Sequence, residues 1–219
     1  MLDIMRNIAI TGVILICTVS LIFWGMGHVT ISKFLPGLPD VEFNTALSLL
    51  FIALAFILSK LDQLENVPIR FIVGVIIGLF ALLSLSQDIF SINIGIDNIF
   101  FDSHAHAYGH NGPHPGRMSP ITAVGVLLIA LIVFILPSNT KSAKLSNIGE
   151  LGMLLMMAML LTVSVAELGI KLFAEQSPAF LSHAAPIPPL TAILMILMAI
   201  GLVAEYLMMV NNNRDTHPR

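Results

Sequence analysis

The chain has one cysteine, Cys17, in 219 residues, so no disulfide can close within it and cysteine usage does not report a redox compartment. Charge is scarce as well. Asp, Glu, Lys and Arg make up 11% of the chain, against roughly 25% in a soluble domain. The net charge of -3 is small and dispersed, which argues against a nucleic-acid partner. Motifs of enzyme chemistry are missing too: there is no Gly-x-Ser-x-Gly elbow, no His-Glu-x-x-His and no Gly-rich phosphate loop. No catalytic residue is assigned, and no enzyme is expected. Paired axial histidines for a haem are also lacking, because only His28 lies near a helix end.

What the chain has is apolar surface: 57% hydrophobic residues and a mean hydropathy of +0.93. Six segments carry most of it: Ile8 to Gly27, Phe43 to Ser59, Ile69 to Leu85, Ile121 to Leu136, Ile148 to Phe173 and Pro189 to Val210. Six such runs in succession leave no polar faces to meet water, so the expected fold is an all-α membrane protein of about six transmembrane helices. The first run is long enough for roughly 30 Å of hydrocarbon. Gly25-Met-Gly27 is a poor cleavage site, so the run is expected to be a retained helix rather than a signal peptide. The second and fourth runs are short and need a thinner bilayer or burial against neighbours.

Lys and Arg are distributed unevenly between alternate connections. Arg6, Lys60, Arg70, Lys141, Lys144, Arg214 and Arg219 fall on one side, and Lys33, Arg117 and Lys171 on the other. The positive-inside rule then predicts that both termini face the cytoplasm. Trp24 and Tyr108 are expected at the outer interface, and Glu205 is expected to snorkel to the inner one.

Three helix starts are alike: Asn44-Thr45-Ala46, Ile121-Thr122-Ala123 and Leu190-Thr191-Ala192. Each has a second Ala eight positions after its Thr, at Ala53, Ala130 and Ala199. This pattern predicts three helical hairpin repeats, approximately 7–66, 67–146 and 147–212, within a single transmembrane domain of residues 1–219. The three alanines are expected at close helix contacts. Gly74-x-x-x-Gly78 predicts close packing inside the chain rather than dimerisation.

Two further stretches sharpen the pattern: Ile94-Gly95-Ile96-Asp97, and His114-Pro115-Gly116-Arg117-Met118-Ser119-Pro120-Ile121-Thr122-Ala123. With Leu35-Pro36-Gly37 and Asn44-Thr45-Ala46, the chain resembles the six-helix, three-repeat membrane sensor region that precedes the signalling domains of many bacterial histidine kinases and diguanylate cyclases. The likeness covers most of the chain, and the middle motif is its specific part. It implies a sensory role and the bacterial cytoplasmic membrane as location. The 219 residues carry no PAS, kinase or cyclase module, so the expectation is either a truncated sensor region or a stand-alone protein that acts through a partner.

Two constellations are candidates for chemistry. Four of the seven histidines fall within residues 104–114, and His104, His106 and His110 form a possible site for a divalent transition metal. A solvated loop is the blander reading of the same residues. The second constellation is a possible intramembrane polar site of Glu167, Gln87 and Asp88, since ionisable groups in hydrocarbon are costly without a purpose. Lys171, four residues after Glu167, is a candidate partner for it. Asp88 is expected at the interface, ahead of an amphipathic segment from Ile89 to Phe101.

The leading expectation is a non-enzymatic membrane sensory or scaffolding module that contacts lipid and acts through other membrane or signalling proteins. The alternative is a small transport or metal-handling membrane protein using the His loop and Glu167.

Overall fold

A computed structural model describes residues 1–25, 41–61, 68–96, 116–136, 147–173 and 189–216. The described residues form helices without strands: α1 (Leu2–Gly25), α2 (Phe43–Leu58), α3 (Ile69–Ile89), α4 (Pro120–Ile135), α5 (Asn147–Phe173) and α6 (Pro189–Thr216). In hydrocarbon a helix satisfies its own backbone polar groups, which is why apolar runs of this length settle as helices. Four helices, α1, α3, α5 and α6, are long and apolar enough to cross a membrane. The other two, α2 and α4, have 16 residues each. This is the build of a helical membrane protein.

The contacts divide the helices into two sets. α2, α4 and α6 touch one another, while α1 lies against α6 and α2, α3 against α4 and α2, and α5 against α6 and α4. Burial follows the same division. Within the apolar stretches of α1, α3 and α5 only 22–28% of residues are buried, against 56% in α6. The bare flanks of the peripheral helices, among them Leu15, Ile76, Leu79 and Leu155, are the surfaces that lipid would cover. The short helices α2 and α4 belong to the inner set, so neighbours bury them where their length falls short.

Small residues set the closest approaches. Ala53 and Ala199 are fully buried, and Ala130 almost so. A Cβ added at Gly74 would stand 3.0 Å from the Ala130 carbonyl oxygen and 3.1 Å from the Phe134 amide nitrogen. The Gly74-x-x-x-Gly78 face is therefore used within the chain, by α3 against α4. Leu49, Ile52, Phe56, Ile129, Met195 and Leu202 fill the space between the inner helices.

Local chemistry explains the helix starts at one end of the bundle. Ser119 caps α4: its Oγ accepts the Thr122 N–H at 3.2 Å, and Pro120 occupies the first turn. α2 has no such side-chain cap. Instead its Asn44 N–H donates to the Gly116 carbonyl at 3.3 Å. Gly116 has φ +88°, a left-handed conformation that glycine adopts without steric cost. The indole N–H of Trp24 donates to the Val41 carbonyl at 3.0 Å and ties the end of α1 to the same place.

The helices also depart from the apolar runs. α1 begins at Leu2 rather than Ile8, α3 runs on to Ile89, and α6 runs on to Thr216. Hydropathy marks the hydrocarbon, but backbone hydrogen bonding continues into the polar boundary. In the stretch from Ile89 to Phe101, α3 ends at Ile89, a turn follows at Phe90 and Ser91, and residues 92–94 are irregular. Residues 97–101 of that segment lie outside the described residues.

Candidate functional site

The starts of α2, α4 and α6 bring hydroxyl groups to one carboxyl, that of Glu42. Glu42 is the partly buried residue just before α2. Thr45 Oγ1 donates to its Oε2 at 3.3 Å. The backbone of Ser119, just ahead of α4, is a further hydrogen-bond partner. The Thr191 hydroxyl of α6 is turned toward the same carboxyl without closing a hydrogen bond of full geometry. Thr122 extends the group, with 2.8 Å between its hydroxyl and that of Ser119. Thr45, Thr122 and Thr191 are all completely buried.

Burial pushes the Glu42 carboxyl up from 4.5 to about 7, while hydrogen bonds from its own backbone, the Thr45 hydroxyl and the Ser119 backbone, with the Thr191 hydroxyl nearby, keep it from rising further. No charged side chain among the described residues contributes to this shift. The result is a carboxyl that changes charge near neutrality inside a ring of hydroxyls. Glu42 is not among the residues singled out from sequence. Its signal was local: a carboxylate three positions before Thr45, at the mouth of an otherwise uncharged helix.

The opposite end is built around Glu205. This carboxylate stands 14 positions beyond Thr191 on α6, about 21 Å along the helix. It does not snorkel: its side chain is only 3% exposed. Arg70 Nη2 of α3 donates to Oε1 at 2.7 Å. Arg6 Nη1 of α1 and Lys60 Nζ, just past α2, reach Oε2 at 3.0 and 3.4 Å. With three cations around one carboxylate, reaching for water would break more charge-assisted bonds than it would make. The three basic residues read from sequence as topology signals therefore also form one buried ion cluster.

Arg70 is the most enclosed member, at 1% exposure. Its Nε donates to Ser59 Oγ at 2.7 Å, and its guanidinium lies 4.5 Å from the centroid of the Phe56 ring. Arg6 is held in addition by Asp3 at 3.0 Å, a residue 70% exposed, and by Asn7. Burial lowers the Lys60 ammonium below its ordinary value; Arg6 and Arg70 push it the same way, and Glu205 opposes them.

Of the residues singled out from sequence, Gln87 and Asp88 share the end of α3, and the rest fall outside the described side chains. Gln87 is buried, and its Oε1 accepts the Ile94 N–H at 2.8 Å, closing the turn after α3. Asp88 pairs with Arg117 at 3.3 Å, and Arg117 also reaches Asn93 Oδ1 at 3.4 Å. These bonds fasten the turn after α3 to the segment that enters α4. Glu167 lies on α5, but its side chain is outside the described set, as are His104, His106 and His110. Among the described residues no three His, Cys, Asp or Glu side chains gather in a metal-binding group.

Compared with models of known protein families, with characterised proteins and with solved structures, the chain finds no match.

Proposed function

We propose that this chain is a non-enzymatic sensory module of the bacterial cytoplasmic membrane. In this reading three helical hairpins carry a signal from the Glu42 end, facing outward, to the Glu205 end, facing the cytoplasm, where a partner protein receives it. The supporting observation is convergence. Three inner helices with matching Thr-Ala starts bring Thr45, Thr122 and Thr191 into one hydroxyl group beside a single carboxyl poised near neutrality. α2 and α6 extend from that group to Lys60 and Glu205, which touch at the far end. The contact pattern, with each peripheral helix wedged between two inner ones, supports the reading as three hairpins.

The signal acts by changing the charge on Glu42. A carboxylate there demands more hydrogen bonds than a carboxylic acid, so the helix starts around it must shift. Paired spin labels at Leu61→Cys and Leu207→Cys, on a Cys17→Ala background in nanodiscs, report the far ends of α2 and α6. The distance between them is expected to change when the pH crosses the range around 7 in wild type, and to stay fixed in Glu42→Gln. Identical distance distributions in both proteins at every pH would sink the proposal.

A further inference from the structure

The ion cluster at the Glu205 end has donors left over. Glu205 has spent both oxygens, one on Arg70 and the other on Arg6 and Lys60. Arg6 is further engaged by Asp3 and Asn7. Arg70 Nη1, by contrast, is buried and has no hydrogen-bond partner among the described residues, although a guanidinium nitrogen shielded from water strongly requires one. Lys60 has three N–H donors and, among the described residues, makes a single polar contact, at 3.4 Å. The Arg70 and Lys60 side chains grip the two oxygens of one carboxylate, so they stand side by side. Their unspent donors call for an anion with several oxygens.

Position narrows its chemistry. Arg70 is the second residue of a helix of bilayer length, which puts it at the boundary between hydrocarbon and water. Phosphate is the commonest anion at that depth, and basic pockets between membrane helices suit phospholipid headgroups. Apolar surface flanks the cluster: Ile57, Leu58 and Leu61 at the end of α2, and Phe71 and Ile72 at the start of α3, are all exposed. Acyl chains attached to a phosphate in the cluster would lie along these side chains. We infer that Arg70 and Lys60, with Arg6 completing the positive field, bind the phosphate of an anionic phospholipid headgroup at the Glu205 end of the bundle. This inference does not depend on what the Glu42 end senses.

The test uses the full chain in nanodiscs of phosphatidylcholine alone and of phosphatidylcholine mixed with phosphatidylglycerol, read by native mass spectrometry and by thermal melting. Wild type is expected to retain phosphatidylglycerol in preference to phosphatidylcholine and to melt higher in the mixed discs. Arg70→Lys keeps a charge for Glu205 but lacks the Nη1 donor, and Lys60→Gln removes the ammonium. Each is expected to weaken retention about tenfold, the loss of one charge-assisted bond, and melting in pure phosphatidylcholine verifies that both variants fold. Inorganic phosphate added in lipid-free detergent separates the two sources of the anion. If it raises the melting point as much as phosphatidylglycerol does, the ligand is a soluble phosphate and the lipid assignment is wrong. Equal retention of the two lipids by wild type, or unchanged preference in both folded variants, overturns the site itself.

Discussion

Glu42 and Glu205 are the same side chain at opposite ends of one bundle, and the surroundings resolve their burial in opposite ways. Around Glu205 three cations supply the compensation, and the charge is kept. Around Glu42 the described residues supply only hydroxyls and backbone groups, and the carboxyl holds its proton up to about pH 7. Hydroxyl dipoles relieve part of a desolvation cost, whereas a guanidinium at 2.7 Å offsets most of it. The difference teaches which end is fixed and which end can change. A carboxylate gripped by three cations from three parts of the chain suits an anchor. A carboxyl poised near neutrality suits a switch.

The strongest way to break the contrast is to strip the anchor. Glu205→Ala leaves Arg70 buried without its counter-ion, and is expected to lower stability by about 3–5 kcal/mol. Chemical unfolding in detergent measures it, with Glu205→Leu and Arg70→Met together as the comparison, since this removes the fully buried cation along with the carboxylate and leaves only Arg6, which keeps Asp3, and the part-exposed Lys60. A double variant as unstable as Glu205→Ala would show that packing, not charge, governs this end.

A medium effect is expected from pH at the other end. The Glu42 carboxyl is raised in the folded state, so its contribution is fully present below the unfolded value of about 4.5 and is lost as pH rises through about 7. Wild type and Glu42→Gln should therefore melt alike near roughly pH 5. Near roughly pH 8 the variant should be the more stable by an amount on the order of 2 kcal/mol. A gap of the same size at both pH values would mean that Glu42 does not titrate in the way its surroundings dictate.

The smallest effect sharpens the comparison within the hydroxyl group. Ser119→Ala removes the cap of α4, at a cost of about 1 kcal/mol, but leaves the Ser119 backbone beside Glu42 untouched. The pH dependence should survive this change. Thr191→Val deletes a hydroxyl that holds the carboxyl down, so the transition should move to higher pH with little change in stability at low pH. If the two substitutions alter the pH profile equally, Thr191 has no special part in setting it.

Much of the helical plan was legible because hydrocarbon selects long apolar runs and forces them into helices. The starts of α2, α3 and α6 at Phe43, Ile69 and Pro189 coincide with the apolar segments. α4 starts at Pro120, one residue ahead of its apolar run, behind the Ser119 cap. The burial of Ala53, Ala130 and Ala199 was legible in the Thr-Ala pattern, since small side chains let helices approach. Arg6, Lys60 and Arg70 were legible only as positive charges near helix ends. Nothing local to them names Glu205, which lies 135 positions from Arg70 and 199 from Arg6.

Apolar surroundings, the class of secondary structure and the approximate extent of each apolar helix are already written in the chain, because those depend on composition over a single turn or run. Tertiary structure alone decided which helices lie inside, which carboxyl keeps its charge and which holds its proton. The cost of a buried carboxylate depends on what stands within a few ångströms of it, and here that is supplied by helices far apart in the chain.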